Sequence, residues 1–493
     1  MSFTSLALLA IVVFFGLTYL SEKRRSWNYP PGPKPIPLLG NLLDFPATSD
    51  LVSRAQQWKK EYGPIVHLSA LGRHIVILND LESITELLEK RGYKYANRPR
   101  FVMVGELCGF DRLPAIASDG LSLRLRALRR LLKAEIGPER LEDWDSYMET
   151  EVVTYVNKLI EEPQEYVLHV RWYVNYPFSG PGVVAFIDVA VLPQLVIDLP
   201  ADGYRISLKN DYHMAASDRI MSKLSQDAQP GMWLVDFIPA LRYLPTWFPG
   251  THFHRYAREA RQELDEWVTR PWELVKSKKT EAVPSLCGRL MDQYPDLSPQ
   301  EEDLIVWSAA SIYSAGSDTT ISALKTFYLA MSMFPEVQKK AQEELDRVIG
   351  SEQRLPRFAD QNDLPYVSSL VLEIFRWGSI LPLGAPREVT EDDVFHSHVV
   401  PKGAIVMPNI WGICHDENTY PNSMEFDPSR FLGPSPQSDP REIIFGFGRR
   451  VCPGQYLAEK SLYIAVTATL STFTITPLKE DPPQYSFDDG FIR

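Results

Sequence analysis

Residues 2–21 carry no charged side chain and contain the apolar run Leu6-Ala7-Leu8-Leu9-Ala10-Ile11-Val12-Val13-Phe14-Phe15. A helix of that length spans a bilayer. The basic cluster Lys23-Arg24-Arg25 follows the run instead of preceding it, which favours a retained anchor over a cleaved signal peptide and puts the remaining chain on the cytosolic side. Tyr29-Pro30-Pro31-Gly32-Pro33-Lys34-Pro35 then reads as a stiff spacer, because proline fixes the backbone. The expected organisation is an anchor at 1–21, a basic and proline-rich linker at 22–36, and one body at 37–493.

Beyond the spacer, residues 64–68 and 74–78 alternate as two strands around a turn near Gly72, and 80–91 has helical spacing. Helical periodicity with proline or polar starts recurs at 141–161, 252–278, 299–333, 335–349, 364–377 and 455–473. Strand character returns only at 399–406, with Pro401-Lys402-Gly403 as a turn, and no internal repeat is found. The pattern predicts a mainly α domain with a minor β-sheet region near the N-terminus.

Composition narrows the classes. Of 493 residues, 45% are hydrophobic and 23% charged, which suits a folded protein with a sizeable core. A formal net charge of -12 argues against a nucleic-acid binder, which needs a basic face to displace counterions. Cys108, Cys287, Cys414 and Cys452 are widely spaced and form no CxxC pair, so a reducing compartment fits better than a disulfide framework.

The chemistry concentrates in Phe445-Gly446-Phe447-Gly448-Arg449-Arg450-Val451-Cys452-Pro453-Gly454, directly before the helical pattern at 455–473. Gly446 and Gly448 allow a tight loop to pass close to a large flat ligand, and Gly454 lets the next helix approach it. Pro453 suits a helix start. Cys452 then lies at a helix N-terminus, where the dipole and unpaired amides favour the thiolate that an iron ligand requires. A buried structural cysteine would explain a bare Cys-Pro-Gly, but the joint pattern Phe-x-x-Gly-x-Arg-x-Cys-x-Gly arises by chance only about once in ten thousand such chains.

This stretch resembles the haem-binding signature of the cytochrome P450 family. The resemblance implies haem b with Cys452 as its metal ligand, and Phe445, Gly448, Arg450 and Gly454 as cofactor-binding residues. Other family motifs follow in order. Glu373-Ile374-Phe375-Arg376 resembles the family's paired carboxylate and guanidinium, and Pro428-Ser429-Arg430-Phe431 supplies the arginine that completes a structural triad with Glu373 and Arg376. Arg387 matches a propionate-binding position. Ala315-Gly316-Ser317-Asp318-Thr319-Thr320 resembles the oxygen-binding groove, with Asp318 and Thr319 as a catalytic proton relay.

Three stretches depart from the family pattern. Where members carry Trp-x-x-x-Arg, both side chains reaching the haem propionates, this chain has Leu125-Arg126-Ala127-Leu128-Arg129, so the resemblance implies Arg129 as a cofactor-binding residue without the tryptophan, and residues 113–120 before it are also atypical. Residues 171–202 hold Pro177, Gly180, Pro181 and Gly182 where members are helical, and the chain ends at Arg493, short of a usual terminal strand.

Tyr95-Ala96-Asn97-Arg98-Pro99 and residues 243–250 are similar to a fungal microsomal group that includes O-methylsterigmatocystin oxidoreductase. The implied activity is monooxygenation of a hydrophobic, polycyclic, terpenoid, steroid-like or aromatic substrate with O2, at the endoplasmic reticulum membrane. Electrons would come from NADPH through NADPH-cytochrome P450 reductase, docked at Arg129, Arg130 and Lys133. A haem-thiolate isomerase or dehydratase, and a catalytically inactive relative, are the alternatives.

Overall fold

The computed structural model describes residues 27–477 and 483–485, apart from 38, 45–47, 71, 172, 175–211, 229–231, 278–285 and 295. The anchor expected at 1–21, most of the atypical stretch at 171–202 and the last residues lie outside the described residues. Among the described residues, no helix is long and apolar enough to cross a membrane.

Helices dominate, as their periodicity predicts. The longer ones are α1 (Thr48–Tyr62), α2 (Leu123–Ile136), α3 (Asp145–Glu161), α4 (Tyr212–Asp227), α5 (Phe253–Ser277), α6 (Pro299–Met333), α7 (Pro335–Ile349), α8 (Pro365–Gly378) and α9 (Gln455–Thr472). The centre is α6, which begins with a reciprocal cap. Ser298 N–H donates to the Glu301 carboxylate at 2.9 Å, and Glu301 N–H donates back to Ser298 Oγ, with Pro299 in the first turn. Around α6 pack α2, α5, α8 and α9, and their apolar faces form the largest core cluster.

The sheet is less local than the sequence suggests. Strands β1 (Ile65–Ala70) and β2 (Arg73–Leu78) form the expected hairpin, turned at Gly72 with φ +78°. Its other two strands, β3 (Arg387–Glu388) and β6 (Ile405–Pro408), come from far along the chain, giving the order β1-β2-β6-β3. β2 runs parallel to β6 with Ile75 opposite Ile405, while β4 (Asp393–Phe395) and β5 (His398–Val400) make a separate hairpin.

Two local elements also differ from expectation. The predicted helix at 80–91 is α-helical only over Leu81–Ile84, capped by Asp80, and then widens into π-turns over Thr85–Lys90. The wider turns set the Leu88 carbonyl against Gly448, where a β-carbon would come within 2.4 Å of the oxygen. The 141–161 helix opens as 3-10 turns, Pro138–Trp144, before becoming α-helical at Asp145.

Candidate active site

The loop from Phe445 to Cys452 is held by its own backbone. Cys452 N–H donates to the Phe445 carbonyl at 2.8 Å and Val451 N–H to Gly448 at 3.2 Å, with Gly446 and Gly448 at φ +78° and +52°. Positive φ disfavours any side chain at these positions. Gly454 precedes α9, and a β-carbon there would make ordinary contact with Ile136 at 3.7 Å and Cys452 Sγ at 4.0 Å.

Cys452 is itself accessible, but dense protein surrounds it on the wider scale, so it sits at the floor of a recess and not on the outer face. That enclosure raises its thiol pKa, while the Gly454 amide and the Arg129 charge pull it down.

Arg129 reaches this loop from α2, donating through Nη2 to the Val451 carbonyl at 2.8 Å. That bond turns the half-buried guanidinium toward the Cys452 loop. Arg130 and Lys133, the other two basic residues expected to dock a reductase, are exposed.

Three more arginines converge from separate elements. Arg387 of β3 is buried and donates to the Phe447 carbonyl at 2.7 Å and the Tyr95 carbonyl at 3.4 Å. Arg450 donates to the carbonyls of Ala96, Pro114 and Ala117 at 2.7, 2.9 and 2.7 Å. Arg98 donates to Ala115, Ala385 and Pro386 at 3.0, 2.7 and 2.8 Å.

Every described hydrogen bond from these four guanidiniums ends on a backbone carbonyl, and among the described residues no carboxylate forms an ion pair with them. Burial pushes Arg387 down to about 9, helped by the charges of Arg450 and Arg129. Arg450 falls to about 10 by burial and Arg129, with Asp119 opposing. Arg98 is lowered by burial and then by Arg387, Arg450 and Arg129. Four enclosed cations that repel one another are poorly stable without a counter-anion. The cluster fits a dianionic ligand such as the two propionates of haem.

Sequence reasoning missed Arg98, which stood only as part of a subgroup motif. The atypical stretch at 113–120 acquires a use here, since its carbonyls receive Arg98 and Arg450. Gly120 crosses Ala96 so closely that a β-carbon would come within 2.0 Å of the Ala96 oxygen. At the position of the absent tryptophan, Leu125 is buried.

On α6, residues along most of the length are buried, yet Ala315 is exposed and Gly316, Asp318 and Thr319 are partly open, marking a groove on the flank of a central helix. Thr319 Oγ1 donates to the Ala315 carbonyl at 2.7 Å, the back-bonding expected there. Burial and Asp218 raise Asp318 to about 6, with Arg171 and Lys325 opposing.

The expected structural triad is assembled. Arg376 forks onto Glu373 with two bonds of 2.7 Å, and Arg430 Nε donates to Glu373 Oε1 at 3.2 Å. Arg376 also donates to the carbonyls of Cys414 and Ser423, each at 2.8 Å, and Arg430 to Asn422 at 2.6 Å. Glu373 and Arg376 are fully buried, so the pair is not a solvated surface bridge.

A cysteine at a helix start, an uncompensated arginine cluster beside it and a groove in the central helix together define a haem-thiolate protein. The chain belongs to the cytochrome P450 family, whose family model matches residues 30–493. It is 36% identical over 484 residues to cytochrome P450 monooxygenase 208 of Postia placenta, covering 97% of this chain and 90% of the relative. It is 34% identical to cytochrome P450 monooxygenase claR of Ampulloclitocybe clavipes (99% and 88% covered) and 35% identical to cytochrome P450 monooxygenase ppsD of Aspergillus oryzae (96% and 88%). The chain is thus a cytochrome P450 monooxygenase, and its cofactor is the family's haem b with a cysteine thiolate axial ligand.

Proposed function

We propose that Cys452 is the axial thiolate and that Arg98, Arg129, Arg387 and Arg450 hold the propionates, with Phe445, Gly448 and Gly454 shaping the loop beneath the ring. The observation that carries this reading is the cluster of enclosed arginines bonded only to carbonyls beside the Cys452 loop. When bound, haem supplies activation of O2 with two electrons, so that one oxygen atom enters the substrate and the other leaves as water.

The chain's own residues do the rest. The Cys452 amide bond to the Phe445 carbonyl holds the loop, while the Gly454 amide and the Arg129 charge favour the sulfur's anion. Asp318, raised to about 6, is mostly ionised at neutral pH yet takes up and releases a proton more readily there than an ordinary carboxylate, and Thr319 stands one residue along the groove with a hydroxyl able to pass it on. The Ala315 carbonyl fixes that hydroxyl's direction.

Within the family, the substrate is a small hydrophobic molecule of polycyclic, terpenoid, steroid-like or aromatic type. Electrons come from NADPH-cytochrome P450 reductase, docked against the exposed Arg130 and Lys133 of α2. Residues 1–21 anchor the protein to the endoplasmic reticulum membrane, with 22–36 as linker and 37–493 as the cytosolic catalytic domain. The test is the spectrum of the reduced, CO-treated protein. Cys452→Ala is expected to lose the long-wavelength Soret band of a thiolate-ligated haem, and retention of that band would remove Cys452 from its assigned role.

A further inference from the structure

Residues 27–35 lie against the body as a strap along the outer edge of β1. The Asn28 carbonyl accepts from the Val399 amide at 2.7 Å, and Asn28 Nδ2 donates to the Ser397 carbonyl at 3.0 Å. Three residues on, the Pro31 carbonyl accepts from the His67 amide at 2.9 Å, and Asn41 Nδ2 donates to the Pro33 carbonyl at 3.1 Å. Gly32 passes so near that a β-carbon there would come within 1.9 Å of the His67 oxygen. Proline suits this segment, since its fixed backbone leaves little freedom to lose on docking and the body draws on the carbonyls of Pro31 and Pro33.

A side-chain clasp adds to these bonds. Ser69 lies opposite His74 and two residues from His67, so both histidines stand on one face of the β1–β2 hairpin. A 2.9 Å bond between His67 Nε2 and His74 Nδ1 sets their rings side by side. Tyr29 stacks on both, with centroids 4.7 Å from His67 at 5° and 4.9 Å from His74 at 29°. Burial, and then the His74 charge, push His67 down to about 3, so at neutral pH His67 is uncharged and the clasp stays closed.

We infer, on the reading of residues 1–21 as a membrane anchor, that this strap holds the catalytic body close against the bilayer, with the β4–β5 hairpin and the outer edge of β1 turned to the lipid headgroups. Residues 22–26 alone then separate the anchor from the body, and a stretch of that length reaches at most about 18 Å however it runs. With 27–35 released as well, the reach would be about 50 Å. The short tether holds Lys23, Arg24 and Arg25, which suit an anionic headgroup layer. Val394, opposite Val399 on the hairpin that receives Asn28, is 56% exposed and offers that layer an apolar contact.

Neutron reflectometry of the full holoenzyme on a supported bilayer of phosphatidylcholine and phosphatidylserine reads the height of the body above the headgroups. Hydrogen exchange of the His67 and Val399 amides reads whether the strap is docked. The parent is expected to leave a gap below about 18 Å, with both amides protected. In Tyr29→Ala both amides should exchange about tenfold faster, and the body should stand about 10 Å further out. Inserting about ten Gly-Ser residues between Ser26 and Trp27 should move the body out about as far while both amides stay protected, and this variant leaves the folded body untouched. A body unmoved by the insertion overturns the inference, because another surface then holds it to the bilayer. Rapid exchange of both amides in the parent overturns it too. A parent that washes off the bilayer overturns the anchor reading first, whereas a parent that stays, at a height the insertion does not change, overturns the strap alone.

Discussion

Arg387 donates from Nη2 to the carbonyl oxygen of Phe447 at 2.7 Å, tying a sheet strand to the loop that carries Cys452. Removing it takes away both a charge for the propionates and the donor to that carbonyl. Hydrogen bonds involving a charged group contribute about 1.5–3 kcal/mol, so Arg387→Ala should lose haem roughly tenfold or more faster than the parent. The rate of haem transfer to an apomyoglobin acceptor measures this. Arg130→Ala, altered at an exposed site, should retain haem normally and slow only reduction by the reductase.

Glu373 is fully buried between Arg376 and Arg430. Deleting one partner of a buried pair leaves an uncompensated charge, at a cost of about 3–5 kcal/mol. Glu373→Ala should therefore give protein that unfolds at much lower urea than the parent and fails to retain haem. Parent-like unfolding would show that the triad contributes nothing to the fold.

Thr319→Ala keeps the helix but removes the hydroxyl held toward Ala315. Haem content and the CO band should be unchanged, while more of the NADPH consumed ends as hydrogen peroxide; Thr319→Ser should restore coupling. Equal peroxide yields in Thr319→Ala and the parent would exclude Thr319 from proton delivery.

Asp318 has a folded-state value of about 6 against an ordinary 3.8. The folded state then binds more protons than the unfolded state between these values, so the contribution of Asp318 to stability falls as pH rises from 3.8 to about 6 and stays unfavourable above. The whole shift corresponds to about 3 kcal/mol, and partial access to solvent keeps the effect below that. Asp318→Asn should melt higher than the parent at neutral pH, with the gap closing toward pH 3.8, even as turnover falls. A gap that does not vary with pH would contradict the raised value.

Gly448 combines φ +52° with a Leu88 oxygen 2.4 Å from a would-be β-carbon, whereas Gly433, at φ +83°, has open space around it. Both alanine variants incur left-handed strain of about 1–2 kcal/mol, but only Gly448→Ala must also move backbone. Thermal melts should rank Gly448→Ala well below Gly433→Ala.

Much of this molecule is determined by short-range pattern. The bounds of α6 and α7 follow from spacing, capping and proline placement, and the glycines around Cys452 reveal a tight loop before a helix, because these signals act over one or two turns of chain. The motifs name Cys452, Arg387 and Arg450, but how they assemble was decided by tertiary structure. Arg98, Arg129, Arg387 and Arg450 meet through carbonyl acceptors, and a carbonyl belongs to every residue, so no side-chain pattern announces which one will be used. The pairing of β2 with β6 across some three hundred residues, and the turning of Arg129 inward while Arg130 and Lys133 face water, likewise depend on how the helices stack, which a periodicity within one helix does not contain.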